Sequence, residues 1–298
     1  MEKSLNWNEF VITRLIKASG YSAILFVALI FFFLVREGIP TFSETGLSAL
    51  LSIRWYPIED YFGILPLITG SLMVTLGATL VAVPFGIGTA IYISEIAPRW
   101  MREILKPLVE LLGGLPSVVL GFLGILVLSP YLHVLLDLPT GLTAFTGSLL
   151  LGGIAVPTVV SVAEDALDAV PRAYREGAWA LGATRWQTIW RVTFPAARSG
   201  VLTAVMLGVG RAIGETMTVM MVTGNAPVLA TKLGSLFSPV RTMTATIAAE
   251  MGEVASGSTH YHVLFFIGMV LFLISLGVNI AASSVVFQAK KRAERILS

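Results

Sequence analysis

The sequence predicts an all-α integral membrane protein with six transmembrane helices, and three observations carry that prediction. Of the 298 residues, 55 % are hydrophobic and only 13 % charged, with a mean hydropathy of +0.83, which leaves too little polar surface to solvate an ordinary soluble domain. Charge-free runs cover residues 18–35, 62–94, 111–136, 138–163 and 254–289, each near or above the roughly 20 residues a spanning helix needs. A sixth apolar run, 199–225, is interrupted only by Arg211 and Glu215.

The first run has no small-residue cleavage site behind it and is expected to remain as a span rather than be removed as a signal peptide. It ends at Arg36-Glu37-Gly38-Ile39-Pro40, where glycine and proline break the helical pattern, and a polar, aromatic segment covering residues 41–61 follows. Residues 1–66 are therefore expected to add one helix and an outer loop to a five-helix core, 67–289, which a basic tail, 290–298, follows. Within the core, Pro84, Gly113-Gly114-Leu115-Pro116, Gly152-Gly153 and Pro157 are residues an isolated helix would resist. In a membrane they permit close helix contact, kinks and broken backbone beside a cavity.

Lysine and arginine placement orients the chain. Lys3, Arg14 and Lys17 precede the first span, Arg99, Arg102 and Lys106 occupy the second connection, and Arg172, Arg175, Arg185, Arg191 and Arg198 occupy the fourth. The tail adds Lys290, Lys291, Arg292 and Arg295, whereas the other connections hold only Arg36, Arg54, Lys232 and Arg241. With Arg211 set aside the division is 15 to 4, so both termini and the second and fourth connections are expected in the cytoplasm. The pI of 8.9 follows from this asymmetry and implies no nucleic-acid partner.

The fourth connection, 164–198, has its own helical grammar. Asp168 is expected to cap a helix with Pro171 in its first turn, and Gly182 to stop it. Thr184-Arg185-Trp186-Gln187 reads as a capping box opening a second short helix that should end before Pro195. Trp186, Ile189, Trp190 and Thr193 then share one side. Two short amphipathic helices hinged at a glycine should lie against the membrane or a partner. In the next outer connection, 226–262, residues 242–254 are expected to be helical and Ser256-Gly257-Ser258 to form a loop.

Arg211 and Glu215 lie four residues apart, about one helical turn, and are expected to share a face and pair. An ionisable pair at bilayer depth costs roughly a few kcal/mol per charge and normally faces a polar pathway or an internal partner. Arg211 would supply positive potential for an oxyanion, Glu215 would hold it in place, and Thr218, three residues on, would either offer a hydroxyl or simply fill the helix. The alternative role for the pair is a structural salt bridge between helices.

Several classes of chemistry are excluded or weak. The absence of cysteine removes disulfides, thiolate metal sites and cysteine nucleophiles. Without a Gly-Lys dipeptide there is no Walker A loop, so the chain does not hydrolyse ATP by that route. Gly208-Val209-Gly210 with Gly214 has the wrong spacing for a dinucleotide loop and reads as small-residue helix packing. His260 and His262, expected in a loop or interface, lack a third ligand for a metal. Glu164, Asp165 and Asp168 stand near many arginines and suit surface ion pairing better than catalysis. No cofactor is expected.

Glu176-Gly177-Ala178, then Gly182 after three residues, then Val192-Thr193-Phe194-Pro195 after nine more, resembles the cytoplasmic signature of ABC importer permeases, with Gly177 and Phe194 as departures from the commonest residues. Val170-Pro171-Arg172-Ala173-Tyr174-Arg175-Glu176, Ala180-Leu181-Gly182-Ala183-Thr184, Arg211-Ala212-Ile213-Gly214-Glu215-Thr216-Met217, Val222-Thr223-Gly224-Asn225 and Leu115-Pro116-Ser117-Val118-Val119 are similar to the phosphate-specific (Pst) permeases, C-type rather than A-type. The resemblance covers roughly residues 70–289. It implies the type I (MetI-like) importer architecture, with segment 171–195, including Glu176, Gly177, Ala178, Gly182 and Ala183, as a coupling helix docking on an ATPase subunit. It implies Arg211 and Glu215 on a phosphate path, and as partners a second, A-type permease subunit, two ATP-binding subunits and an extracytoplasmic phosphate-binding protein, all around a lipid bilayer. A permease for sulfate, molybdate or tungstate is the alternative within the class, and an ion-driven secondary transporter or a membrane enzyme lies outside it. An ion-driven carrier has no use for an ATPase docking helix, and no nucleophile, base or metal set is clustered for an enzyme.

Overall fold

The computed structural model describes the backbone of residues 7–297 and the side chains of residues 10–284; Lys3 and the side chains of the basic tail 290–298 lie outside these described residues. The chain opens with α1 (Trp7–Gly38), the short helices α2 (Thr41–Glu44) and α3 (Leu47–Leu50), and an antiparallel hairpin of β1 (Trp55–Tyr56) and β2 (Tyr61–Phe62). Trp55 pairs with Phe62 and Tyr56 with Tyr61, and Asp60 closes the hairpin turn in the left-handed region at φ 59°. Next come α4 (Leu65–Ile91), which a π-helical turn extends to Ile96, α5 (Arg99–Gly113), α6 (Ser117–Leu123) and α7 (Ser129–Leu135), with a second π turn between the last two. α8 (Ala144–Asp168) leads into α9 (Arg172–Ala180), α10 (Arg185–Thr188), a third π turn and α11 (Phe194–Ala196). α12 (Arg198–Gly214), α13 (Met217–Val222), α14 (Met243–Glu250) and α15 (Thr259–Leu297) complete the chain.

Five stretches among the described residues are long and apolar enough to cross a membrane: Phe10–Glu44, Leu65–Ile96, Ser117–Leu135, Ala144–Asp168 and Thr259–Ser284. A sixth is a pair, Arg185–Ala196 with Arg198–Gly214, bent by 73°. Five of the six apolar runs of the sequence each meet a span and the sixth, 199–225, meets the Arg198–Gly214 half of the bent pair, with two corrections. The third span starts at Ser117 rather than 111, because residues 111–113 finish α5 before the Gly114-Leu115-Pro116 elbow. The run 199–225 is no single helix: it breaks at Glu215, whose backbone is extended at φ −69°, ψ 130°.

Small residues hold the centre together. A Cβ on Gly208 of α12 would stand 2.5 Å from Val159 of α8, and one on Gly86 of α4 would stand 2.6 Å from the same side chain. A Cβ on Gly152 would stand 2.7 Å from Val81 and 3.0 Å from the Ala78 carbonyl. Since lipid is as apolar as leucine, close backbone approach and the dispersion contacts it permits must hold α4, α8 and α12 together. α1 lies outside this centre, packed along α15 through Phe31–Phe272 at 4.9 Å and Phe33–Phe265 at 5.4 Å, with most of its apolar side chains exposed.

Two ends of the bundle are distinct. At one, here the basic end, sit Arg99, Arg102, Lys106 and segment 164–198. At the far end the hairpin, α14 and the start of α15 close over Leu50, Leu67, Leu264 and Ile267. His260 and His262 lie in the first turn of α15 rather than in a loop. They bond Glu250 at 2.8 Å and Glu44 at 3.0 Å, and no group of three metal-ligating side chains forms among the described residues.

Candidate functional site

Chemistry-bearing side chains gather at the break in the apolar run 199–225 and at the hinged segment at the basic end. At the first, α12 stops at Gly214 and α13 restarts at Met217. Arg211 and Glu215 do not pair among the described residues, in contrast to the expectation from spacing. The arginine, still helical, reaches sideways: Nη1 donates to Thr158 Oγ1 on α8 at 2.8 Å, and Nη2 to the Gly113 carbonyl at the end of α5 at 3.3 Å. Glu215, out of the helix, turns its carboxylate toward the Thr218 backbone N–H at 3.4 Å and its carbonyl toward Thr244 Oγ1 at 3.0 Å. Four residues make one turn only where the helix continues, and here it does not.

Thr218 is fully buried, and its hydroxyl donates to the Ser117 carbonyl at 2.9 Å, joining α13 to the start of α6. It therefore does not share an open face with Glu215. Beside Glu215 instead lies a narrow cleft with the hydroxyls of Ser71, Thr75, Thr242 and Thr244. Sequence reasoning missed these four and Thr158; single hydroxyls scattered over α4, α8 and α14 carry no spacing signal. Past α13, Gly224 and Asn225 both take positive φ, 80° and 50°, and Asn225 Nδ2 returns to the Met220 carbonyl at 2.6 Å.

At the basic end, α9 carries Glu176, Gly177 and Ala178 and stops at Gly182, φ 81°. The stop is a Schellman closure: Ala183 N–H bonds the Ala178 carbonyl at 3.0 Å and Gly182 N–H the Trp179 carbonyl at 2.9 Å. Thr184 and Gln187 form the reciprocal capping box of α10. Two expectations need correcting. Asp168 ends α8 and caps nothing, since Pro171 is the N-cap of α9; its carboxylate instead takes bonds from Ser94 Oγ at 2.6 Å and from Arg102. The helix after the capping box does not end before Pro195. A π turn over Ile189–Thr193 shifts the hydrogen-bond register, and Pro195 falls in the first turn of α11, where a missing N–H costs nothing. Trp186, Ile189, Trp190 and Thr193 also divide: Ile189 and Thr193 are buried, while Trp186 and Trp190 stay exposed, their rings in a T at 5.6 Å.

Ion pairs lock this hinge to the bundle. Arg175 holds Glu95 through Nη2 at 2.6 Å and the carbonyls of Val170 and Leu167 at 2.7 and 2.8 Å. Arg185 donates to the carbonyls of Glu95 and Ile96. Arg102 and Lys106 on α5 meet Glu164, Asp165 and Asp168 on α8. Glu164 is no surface group, at 2 % side-chain exposure. Its hydrogen bond to Lys106 raises that ammonium above the usual 10.5, against the opposing effect of burial. The complementary i, i+4 ladders, Arg102/Lys106 and Glu164/Asp168, were readable in the sequence; the lone Glu95 at the end of an apolar run was a signal too. Between these groups lies a cavity of about 600 Å³ lined by Arg172, Arg185 and Trp179 among others.

The family of binding-protein-dependent transport system inner membrane components matches residues 82–292. A probable ABC transporter permease protein of Bacillus subtilis, YqgH, is 42 % identical over 248 residues, covering 82 % of this chain and 79 % of that protein. The phosphate transport system permease protein PstC of Mesorhizobium japonicum is 37 % identical over 252 residues, covering 78 % and 76 %. Among solved structures, a chain of a bacterial alginate ABC transporter shares the fold at a TM-score of 0.61 and 16 % identity over 98 % of both chains. A chain of the inward-facing MetNI methionine ABC transporter does so at 0.58 and 18 %, over 79 % of this chain and 99 % of that one. By the family match over residues 82–292 and relatives 37–42 % identical over most of their length, the chain belongs to the binding-protein-dependent permeases, the inner membrane components of ABC importers.

Proposed function

We propose that this permease is the C-type subunit of an ATP-driven phosphate importer, with Arg211 on the anion path. One observation carries the choice of an anion: the Arg211 guanidinium, inside the apolar run 199–225, has only neutral oxygens as partners among the described residues. An uncompensated cation there favours a charged visitor of opposite sign, and the planar fork suits a tetrahedral oxyanion. Phosphate is favoured over other oxyanions because relatives such as PstC bear that substrate in their names.

The partners follow from the same reading. Segment 171–195, with Glu176, Gly177, Ala178, Gly182 and Ala183, docks on an ATP-binding subunit and offers exposed Leu181, Trp179 and Trp186 to it. A second, A-type permease covers the open side of the broken span, where backbone groups cannot face lipid. A binding protein delivers phosphate to the far end. The basic end and both termini are cytoplasmic by the charge asymmetry, and residues 1–66 serve as an addition to the 67–289 core.

Uptake of labelled phosphate, sulfate and molybdate into vesicles holding all subunits and ATP tests this. Arg211→Ala should assemble yet lose import by at least the tenfold that about 1.4 kcal/mol represents, and adding Glu215→Ala should not restore it, because the two side chains do not pair. Arg211→Lys should be strongly impaired despite keeping charge. Import of sulfate or molybdate with phosphate refused would overturn the substrate, and robust phosphate import by Arg211→Ala would remove the arginine from the path.

A further inference from the structure

We propose that Thr158 and the Gly113 carbonyl form a latch on Arg211 that an entering oxyanion displaces, making Thr158 a positioning residue for transport; the inference rests on the anion-path reading of Arg211 given above. The guanidinium bridges two elements, α8 through Thr158 Oγ1 at 2.8 Å and the end of α5 through the Gly113 carbonyl at 3.3 Å. Both acceptors are neutral. An oxyanion offers the same fork two charged oxygens, and charge-assisted bidentate bonds are roughly twice as strong as neutral ones. Glu215, the nearest carboxylate in sequence, is turned to the Thr218 N–H and does not compete.

The exchange has a mechanical consequence. Gly113 is the last residue of α5 and abuts Pro157, next to Thr158, so closely that a Cβ on it would stand 3.3 Å from the proline ring. Near its other end α5 is tied to the same helix, α8, by Arg102 and Lys106. Loss of the Gly113–Arg211 bond therefore frees the elbow at Gly114-Leu115-Pro116 while the start of α5 stays fixed. α8 also offers the Leu167 carbonyl to Arg175 of the coupling helix at 2.8 Å. One rigid element thus touches both the anion's arginine and the hinge that meets the ATPase, and a ligand that prefers the unlatched arrangement shifts both.

The test uses the native absence of cysteine. Leu115→Cys, half-exposed in the elbow, is labelled with a thiol reagent in the assembled transporter, with inorganic phosphate, sulfate or chloride. Phosphate should accelerate labelling roughly tenfold, the weight of one hydrogen bond to a charged group. Thr158→Val, equal in shape, removes the shorter of the two bonds that aim the guanidinium at Gly113 and should give the fast rate without any oxyanion, and Thr158→Ser should restore the response. If sulfate alone gives the acceleration, the latch stands and the phosphate assignment falls. If phosphate is imported normally while labelling ignores it, and Thr158→Val changes only thermal stability, the latch is overturned and the phosphate assignment stands.

Discussion

Glu250 shows how much a single side chain can join at the far end. Its carboxylate takes Arg241 Nη2 at 2.6 Å, His260 Nε2 at 2.8 Å and Trp55 Nε1 at 3.2 Å, so the hairpin, α14, α15 and the loop before α14 meet on one group. Burial pushes its pKa up, but the His260 hydrogen bond, the Arg241 charge and the Trp55 hydrogen bond outweigh that and bring it below the usual 4.5. A carboxylate lowered on folding contributes stability that is present above its unfolded value and lost as pH falls through the folded one. Glu250→Gln should therefore lower the thermal midpoint at neutral pH, by the equivalent of about 2 kcal/mol for a half-buried charged hydrogen-bond network. The gap to the wild type should close as pH drops below 4.5. A gap that stays constant down to strongly acid pH would show that the ionised form contributes nothing. None of this was legible in the sequence, since Trp55, Arg241, Glu250 and His260 are brought together only by the fold. Arg211 was legible as a residue of interest, because one cation in an apolar run is conspicuous, but its partners were misassigned: Thr158 and Gly113 lie 53 and 98 residues away.

Elements were legible where local chemistry alone decides them. The hinge at Gly182 and the capping box at Thr184 could be read because each needs only its own few residues. The π turns could not, since no residue type marks them and they appear where tertiary packing wins over the α register. The break at Glu215 was hidden for a related reason: Gly214-Glu215-Thr216 is compatible with a helix, and what ends it is the bonding of Thr244 and Thr218 to Glu215. The Gly182 hinge yields a sharp prediction. Nothing lies within 4 Å of a Cβ there, so a side chain meets no clash and only the backbone at φ 81° resists. Gly182→Val should then cost on the order of 1–2 kcal/mol in the left-handed region, opening the closure onto Ala178 and tilting α10 relative to α9. Uptake and substrate-stimulated ATP hydrolysis should fall together while membrane levels of the chain hold, and Gly182→Asn, which tolerates that backbone, should retain most of both. Wild-type coupling in Gly182→Val would mean that the hinge geometry is immaterial.

Across the whole molecule, charge and exposed apolar side chains distinguish the basic end of the bundle from the far end. Leu181, at the tip of the hinge, is 90 % exposed and stands with the exposed Trp179, Trp186 and Tyr174 at the basic end. The far end carries Ser48, also exposed, within α3. The orientation proposed from the basic residues places these two positions on opposite sides of the membrane, and the docking proposal places only Leu181 beneath a partner. A cysteine-free chain lets both be tested in one experiment. In intact cells an impermeant thiol reagent should label Ser48→Cys and leave Leu181→Cys untouched. In inside-out vesicles the pattern should reverse, with Leu181→Cys reacting quickly when the ATP-binding subunits are stripped and at least tenfold more slowly when they are restored, because occlusion of one contact residue in a packed interface removes its access to solvent. Labelling of Leu181→Cys from outside would invert the topology and with it the docking role. Fast labelling in vesicles that is indifferent to the ATP-binding subunits would keep the topology and move the docking site off the hinge, leaving its exposed aromatic residues to the membrane surface.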